Sequence, residues 1–387
     1  MNVLSLRLKN RIAQSGPIPF RDFMESALYE PEHGYYFSGR AAIGRDGDFL
    51  TNVSVGPLFG RLLARQFVEM WDRLYRPTQF TIVEQGAHGG VFARDVLAAL
   101  SDFAPDCFHS TRYVIVEPAD PLRVRQEDAL VHIAGGRLEW RASVAELEAF
   151  EGVHFSNELP DAFPVHRIRR TDGEWVERYV EWKDDRFHFT DGPLSSDALR
   201  KHVALLARNY PEGYETEVNL ASGDWIASLA PKIRRGWVLL IDYGYPRDDY
   251  YRPERAAGTL SGYANHLRAT DLLENPGEID LTAHIDFTTL AECAEAAGLT
   301  PCGFTDQHHF MVGLSRLHFS DSEALTPAKQ KELREFKTLM HPNMMGASFK
   351  ALCLEKPNAP DPSPPLSGFA FASDARVALG MDRPPCA

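Results

Sequence analysis

The 387-residue chain is 44% hydrophobic and 25% charged, which is ordinary for a globular enzyme, and it is long enough for one large domain or two smaller ones. Its 41 basic and 54 acidic residues give a formal net charge of -13, which argues against a nucleic-acid-binding surface and suits a basic protein partner. The five cysteines lack the C-x-x-C spacing of a zinc site or a redox disulfide, and no apolar run reaches the length of a membrane span.

The first residues, MNVLSLRLKNRIAQSG, mix basic with apolar side chains at helical spacing and lack the apolar core of a secretory signal. We therefore expect a cytoplasmic protein without a metal site and without membrane insertion. A weak amphipathic targeting peptide is the alternative that this pattern leaves open.

Residues 1–78 are predicted to form an N-terminal helical and loop region. Apolar side chains recur at helical spacing over 20–28, and Pro31 ends that helix. The glycine-rich segment GRAAIGRDGDFLTN follows, before a second helical pattern over about 58–74. A long loop of this kind is either a plain surface loop or a lid over a binding site.

The segment FTIVEQGAHGGVFARDVLAAL predicts a buried strand, a tight turn and an amphipathic helix. Gly86, Gly89 and Gly90 allow the backbone to turn sharply and to approach a ligand, and the start of the helix presents free N–H groups. The pattern indicates a cofactor site, although a glycine turn with nothing bound would look the same.

Two acidic residues are relevant to the identity of the cofactor. Glu84 ends the first strand, where a carboxylate suits a cationic ligand such as S-adenosylmethionine better than a pyrophosphate. Glu117 ends the second strand, TRYVIVEPAD, where it can accept both ribose hydroxyls of either cofactor type.

Two further buried strands, GVHFSNEL and GWVLLIDYG, end in polar residues: Asn157 and Glu158 in the first, Asp242 in the second. Because ligands lie beyond the carboxyl ends of the strands in an open parallel sheet, these side chains are expected to meet Glu84 and Glu117 in one cleft. Taken singly, each is as easily explained as a cap of the following helix or turn.

Two segments interrupt the predicted sheet. The first is the insertion 161–232. Within it, residues 166–190 alternate charged and aromatic side chains in the pattern of a β-meander that covers the cleft, and their arginines are offset by glutamates, as on a solvated strand face. A second excursion, 245–286, ends in GEIDLTAHIDF. There Asp280, Thr282 and His284 alternate, which predicts either an ordinary polar strand face or an edge that faces a substrate.

Successive blocks of the sequence resemble, in order, the signature blocks of the MidA-type methyltransferases: GPIPFRDFMESALYEPEHGYY, GDFLTNVSVGPLFG, VEQGAHGG, NELPDAFPVHR, LLIDYG, GTLSGYANH and GEIDLTAHIDF. The resemblance implies an α/β fold: a Rossmann-like class I methyltransferase core with an N-terminal helical and lid region and an inserted α+β substrate domain. It also implies S-adenosyl-L-methionine as the cofactor. The core would comprise 79–160 and 233–356. The composition of the Pro-rich segment 357–387 predicts a flexible tail or an extended arm on the domain surface, which Phe369 and Phe371 could anchor unless they contact a partner.

The resemblance also carries individual residues. Glu84, Gly86 and Gly90 match the family's cofactor turn, and Gly47, Asp48, Phe49 and Thr51 match an N-terminal loop that covers the cofactor. The candidate cofactor-binding residues are therefore Glu84, Gly86, Gly90, Glu117, Asn157, Gly47, Asp48, Phe49 and Thr51. The chain departs from the family at His88, which replaces a glycine of the turn, at Asn52-Val53-Ser54, where many members have Ser-Pro-Glu, and at Ser261, which replaces an arginine.

Mitochondrial members of this family act on an arginine of a respiratory complex I subunit, so the resemblance implies protein arginine N-methylation. A guanidinium is charged at any ordinary pH, so carboxylates must orient it and make one nitrogen more nucleophilic. Glu158 and Asp161 are the best candidate pair, with Asp242 and His284 behind them. Any of these could instead bind the cofactor.

The expected partner is a protein with an exposed arginine and not a nucleic acid, and a homodimer is one open option for the oligomeric state. Two other functions compete with methyl transfer. A non-catalytic cofactor-binding assembly factor is favoured by the departures at His88, Ser54 and Ser261. A nicotinamide dehydrogenase is disfavoured by Glu84 and by the absence of a third glycine at the G-x-G-x-x-G spacing.

Overall fold

The computed structural model describes residues 1–38, 51–133, 136–206, 210–264, 267–316, 318–319, 326–356 and 364–382. Its α-helices are α1 (Val3–Ser15), α2 (Phe20–Tyr29), α3 (Asn52–Val55), α4 (Leu58–Arg73), α5 (Val91–Phe103), α6 (Pro105–Ser110), α7 (Asp120–Leu130), α8 (Asp197–Val203), α9 (Leu220–Leu229), α10 (Arg247–Tyr250), α11 (Phe287–Ala296), α12 (Gln307–Ser315), α13 (Pro327–Met340) and α14 (Ala375–Ala378). Its strands are β1 (Ile18–Pro19), β2 (Phe80–Gln85), β3 (Thr111–Val116), β4 (Leu138–Arg141), β5 (Phe150–Asn157), β6 (His166–Thr171), β7 (Glu174–Lys183), β8 (Arg186–Gly192), β9 (Glu215–Val218), β10 (Ile233–Tyr245), β11 (Ser261–Ala264), β12 (Leu267–Arg268), β13 (Asp280–Thr282), β14 (Ile285–Asp286), β15 (Thr300–Asp306) and β16 (Phe349–Lys356).

A mixed central sheet organises the molecule, with strand order β4–β3–β2–β5–β10–β16–β15 and β14 added beside the end of β10. Neighbours from β4 to β10 pair in parallel, whereas β16 runs antiparallel to both β10 and β15. The central strands are apolar runs buried on both faces, as expected of a covered parallel sheet. The predicted α/β core is present.

Apolar helices cover both faces of this sheet. One cluster joins α4, α5 and α12 to the sheet through side chains such as Phe67, Phe92 and Phe310. On the other face, α9 and α11 pack with Ile226 and Leu290. Helix α9 thus belongs to the core layer, although the predicted boundary places it inside the insertion 161–232. Its buried side chains Trp225, Ile226 and Leu229 belong to the apolar cluster on that face of the central sheet.

The N-terminal region and the insertion form one further layer. Strand β1 pairs with β7, which extends the β9–β6–β7 meander, and β8 pairs with the other side of β7. Phe23 of α2 packs against Phe187 of β8. A small sheet of order β12–β11–β13 comes from the second excursion, and the Ala283 N–H donates to the Asp161 carbonyl at 2.9 Å. This layer therefore adjoins the carboxyl ends of the central strands.

Residues 364–382 pack on the core and do not behave as the predicted flexible tail. Leu366, Phe369 and Leu379 are buried, and Arg73 donates to the carbonyls of Pro364 and Pro365. Of the two phenylalanines that the sequence offered as anchors, Phe369 is buried and Phe371 is exposed.

Candidate functional site

Strand order places a crevice between β2 and β5. After β2 the chain continues outward through β3 and β4, and β5 then returns to the other side of β2. Such a switch point leaves a crevice at the carboxyl ends of the two strands, where open α/β sheets bind ligands. Two cavities, of about 330 and 170 Å³, lie at this edge, and both are lined by Gly86 and His88.

The turn after β2 has the backbone geometry that requires glycine. Gly86 and Gly90 adopt φ values of 83° and 76°, in the left-handed region that other residues rarely enter. A Cβ at Gly90 would lie 3.1 Å from the Leu130 side chain. The turn lies at the larger cavity. Helix α5 begins at the wall of the same cavity, with free N–H groups in its first turn.

Glu84 lies at the wall of the larger cavity and is almost fully buried. The Tyr113 hydroxyl donates to its carboxylate at 2.7 Å, and burial raises the pKa of Glu84 to about 7. Within the described part of the chain, Glu84 forms no ion pair. A buried acid in this position fits the positively charged amino group of a cofactor such as S-adenosylmethionine.

Glu117 lies on the smaller cavity, beside apolar side chains that suit an adenine ring, such as Leu122 and Leu159. Its carboxylate accepts from the Ala119 N–H and from the Gln126 amide, each at 2.9 Å. Gln126 also donates to the carbonyl of His88 at 2.8 Å. This amide, which the sequence did not point out, fixes the acid relative to the glycine turn.

The remaining cofactor candidates come from the N-terminal loop and from the end of β5. Gly47, Asp48 and Phe49 lie outside the described residues. Thr51 is buried on the larger cavity, where its N–H donates to the Ser54 hydroxyl oxygen at 2.9 Å. Asn157 lines the same cavity from the end of β5.

His88 adopts φ of 45° and reaches the Tyr36 ring, with centroids 6.3 Å apart. Burial lowers its pKa to about 4, so the imidazole is neutral at physiological pH. The replacement of the family's glycine therefore adds a neutral aromatic wall between the two cavities and does not add a charge beside a cationic cofactor.

Four buried carboxyl groups converge beside the cofactor crevice, and we call them the acidic well: Glu158, Asp161, Asp242 and Asp280. The Asp161 N–H donates to Asp242 at 3.2 Å. The Thr282 hydroxyl donates to Asp161 at 2.9 Å, and the Tyr36 hydroxyl donates to Asp280 at 2.8 Å.

Burial and mutual repulsion raise the pKa values in the acidic well. Burial, followed by the charge of Asp161, raises the pKa of Glu158 to about 8. Burial raises the pKa of Asp161 to about 6 and that of Asp242 well above its ordinary value. In the described ranges no Lys or Arg pairs with Glu158, Asp161 or Asp242. The well is therefore suited to receive a cation.

The structure brings together three of the four predicted catalytic residues and places His284 behind them. The His284 ring stacks on Tyr243 and also contacts Tyr245, with centroids 5.8 and 5.4 Å away. Burial, with a smaller contribution from Arg255, lowers its pKa to about 4. Asp280, which the sequence offered only as one member of a polar strand face, contributes to the well in addition.

Tyr29 and Tyr36 were not predicted as site residues. Both line the smaller cavity, and the Tyr29 hydroxyl donates to the Ala162 carbonyl at 2.9 Å. Tyr29 is the last residue of α2 and Tyr36 is the last residue of the block EPEHGYY that follows it, and their aromatic character was the available signal.

Comparison with known proteins agrees with this arrangement. Residues 62–305 match the sequence model of a family described as S-adenosyl-L-methionine-dependent methyltransferases. The mitochondrial protein arginine methyltransferase NDUFAF7 homolog of Drosophila melanogaster is 30% identical over 383 residues, covering 91% of this chain and 84% of that protein. The mitochondrial protein arginine methyltransferase NDUFAF7 of Homo sapiens is 26% identical, covering 90% and 82%. A Burkholderia thailandensis protein crystallised with S-adenosyl-homocysteine is 30% identical, with a TM-score of 0.83 over 96% of this chain and 95% of that chain.

The expectation of a cytoplasmic protein is wrong by this comparison, because the curated relatives of Drosophila melanogaster, Rattus norvegicus and Homo sapiens are all named as mitochondrial. Composition and the lack of a secretory pattern do not distinguish these compartments. In the described ranges, no helix has the length and apolar character needed to cross a membrane.

Proposed function

The chain belongs to the S-adenosyl-L-methionine-dependent methyltransferase family, as its resemblance to the MidA-type enzymes predicted, and we propose that it methylates an arginine side chain of a partner protein. The observation that carries the proposal is the acidic well beside the cofactor crevice. The names of the curated relatives, which are protein arginine methyltransferases, support the same substrate class.

The acidic well favours arginine over lysine as the acceptor. A lysine must lose its proton before its nitrogen can attack, and surrounding carboxylates oppose that loss by raising the pKa of the ammonium group. A guanidinium keeps its charge at any ordinary pH and presents several N–H donors in a plane. Glu158 and Asp161 offer the carboxylate oxygens that such a group binds.

The cofactor, when bound, supplies an electrophilic methyl group on a sulfonium. Transfer forms an N–C bond and breaks the S–C bond, and one proton leaves the guanidinium because the methylated product remains a monocation. Glu158 and Asp161 would accept N–H bonds from the acceptor and orient one nitrogen toward the methyl group. Glu158, whose pKa is raised to about 8 by burial, is also basic enough to take the released proton.

The N-terminal region and the inserted strands would act as the lid and the substrate domain of this enzyme. Tyr29 and Tyr36 reach from the end of α2 to the smaller cavity, and Tyr36 bonds to Asp280 of the second excursion. These contacts support a role for both segments in enclosing the acceptor side chain and excluding water.

Methyl transfer from labelled S-adenosyl-L-methionine to an arginine-rich protein extract tests the proposal, with methylarginine identified after hydrolysis. Glu158→Gln should lower the transfer rate by on the order of 100-fold, because the acceptor loses its orienting charge, while S-adenosyl-homocysteine binding stays within about twofold. Glu151→Gln is the matched control, since Glu151 lies on the strand that Glu158 follows, but at the end of that strand that is far from the crevice. Full activity of Glu158→Gln would remove its assigned role, and tight cofactor binding without transfer by the unmodified protein would favour a non-catalytic assembly factor.

A further inference from the structure

Three buried amide side chains form a continuous hydrogen-bonded relay that ends at Glu158. Gln307 donates through Nε2 to Oδ1 of Asn52 at 2.7 Å, and Asn52 donates through Nδ2 to Oδ1 of Asn157 at 2.8 Å. Asn157 donates through Nδ2 to Oε1 of Glu158 at 2.9 Å. Gln307 and Asn52 are fully buried, and neither lines the two cavities of the crevice.

The direction of the relay is fixed at its far end. Nε2 of Gln307 also donates to the Leu339 carbonyl at 2.9 Å, and a carbonyl can only accept. Gln307 must therefore present its NH₂ group, so Asn52 must present its oxygen to Gln307 and its nitrogen to Asn157. The same constraint makes Asn157 present its nitrogen to Glu158. Without this anchor, a buried amide can rotate and present an oxygen to the carboxylate instead.

The backbone around Glu158 also depends on the segment that carries Asn52. Glu158 adopts φ of 52°, a left-handed conformation that is strained for a residue with a Cβ and persists only when its surroundings hold it. The Asn52 backbone N–H lies near the Glu158 carboxylate and lowers its pKa. Glu335 of α13 accepts from the Leu58 N–H at 3.2 Å, which fixes the other end of this segment.

We propose that Asn52 and Gln307 are positioning residues that hold Asn157 and Glu158 so that the Glu158 carboxylate faces the methyl acceptor. The proposal rests on the proposed function and deepens it, because it assigns a role to two side chains that contact neither cavity. It also gives the C-terminal helices α12 and α13 a part in acceptor orientation.

The relay affects the charge state of Glu158. Burial, Asp161 and Asp280 raise the pKa of Glu158, whereas the Asn157 amide and the Asn52 N–H stabilise its ionised carboxylate. Burial also raises the pKa of Asp242 and Tyr243, and the charge of Glu158 adds to that effect. Loss of the amide donor therefore makes Glu158 harder to ionise. Because the ionised form orients a guanidinium, the acid limb of the rate profile should move to higher pH.

Gln307→Met tests the relay against Gln66→Met, a matched control. Gln66 is equally buried and makes two comparable bonds, donating to Glu69 at 2.8 Å and accepting from the Gly368 N–H at 2.9 Å, but it has no link to Glu158. Both variants should lose similar thermal stability. Only Gln307→Met should lower kcat by on the order of tenfold and move the acid limb upward by about one pH unit, with S-adenosyl-homocysteine affinity kept within about twofold.

An unchanged kcat and acid limb in folded Gln307→Met would overturn the proposal. If that variant does not fold, Asn52→Ser replaces it, since serine removes the relay amide and keeps the backbone N–H. If the unmodified enzyme methylates no arginine, the proposed function fails, and the relay is decided separately by ¹³C NMR titration of glutamate carboxyl groups, with Glu158→Gln identifying the signal. A higher Glu158 pKa in Gln307→Met supports the relay there, and an equal pKa refutes it.

Discussion

Buried titratable side chains near the site have pKa values moved in opposite directions. Burial lowers the pKa of His88, His154 and His284 to about 4, 3 and 4, so these imidazoles fold in the neutral form. Burial raises the pKa of Glu158 to about 8 and that of Glu84 to about 7. The two groups therefore contribute opposite slopes to the dependence of stability on pH.

We predict that the free energy of unfolding falls between pH 6.5 and 8. Below 6.5 the unfolded chain binds more protons at its histidines, which opposes the effect of the buried carboxyl groups. Above 6.5 the histidine effect fades, whereas the native state still holds a proton on Glu158 that the unfolded chain has lost near its ordinary value of 4.5. Each proton that only the native state holds lowers the free energy of unfolding by roughly 1.4 kcal/mol per pH unit within that window.

Urea unfolding of the ligand-free protein at pH 5, 6.5 and 8 measures this slope. Glu158→Gln cannot ionise, and it should make the slope of stability against pH more positive from pH 5 to 8, because native Glu158 holds its extra proton over this whole range. The clearest sign should be a flatter decline between pH 6.5 and 8. A decline of equal steepness in this variant would show that Glu158 is not the group responsible.

At the scale of the element, the turn between β2 and α5 depends on left-handed glycines, and a matched pair of substitutions separates strain from function. Gly90 and Gly173 have φ values of 76° and 77°. A Cβ at Gly90 would approach Leu130 to 3.1 Å, whereas a Cβ at Gly173 would meet nothing within 4 Å. Gly90→Ala and Gly173→Ala should each cost about 1 kcal/mol in stability from backbone strain.

Only Gly90→Ala should also weaken S-adenosyl-homocysteine binding, by on the order of tenfold, because it moves the start of α5 at the wall of the larger cavity. Calorimetric titration of both variants measures the difference. Equal cofactor affinity in the two variants would mean that the exact path of this turn does not matter for binding.

The local elements of the core could be predicted from the sequence because their signals are local. The apolar run before Glu84 and the glycines after it predicted β2, the turn and α5 at nearly their observed positions. The pairing of β1 with β7 could not be predicted, since a two-residue strand at Ile18 has no periodicity of its own. The same applies to Asn52 and Gln307, which are 255 residues apart and meet only through tertiary packing.

For the site, the sequence could predict which residues lie at the ends of strands, but it could not predict their side-chain contacts. The rule that ligands lie at the carboxyl ends of parallel strands brought Glu158 and Asp242 to the correct edge. We assigned His284 to the same group because it alternates with other polar residues along the predicted strand. In the structure its ring stacks on Tyr243, a tertiary contact that no spacing in the sequence reveals.

At the scale of the whole molecule, the C-terminal segment closes the core on the side of α4 and α12. Phe369 packs against Phe310 with ring centroids 5.1 Å apart, and its ring lies where a Cβ on Gly303 would be. The Glu69 carboxylate accepts from the Ser367 N–H at 3.0 Å. The last stretch of the chain therefore joins two helices and β15 that are distant in sequence, and it contributes to global stability.

Phe369→Ala should lower the free energy of unfolding by about 3 kcal/mol, because it removes a buried aromatic ring and leaves a cavity in the main apolar cluster. Phe371→Ala is the matched control, since Phe371 is two residues away and 50% exposed, and it should change stability by about 0.5 kcal/mol or less. Urea unfolding followed by tryptophan fluorescence measures both variants. A small effect of Phe369→Ala would mean that the segment is only loosely attached in solution. A large effect would show that the enzyme needs its C-terminal segment for the same core that supports the cofactor turn.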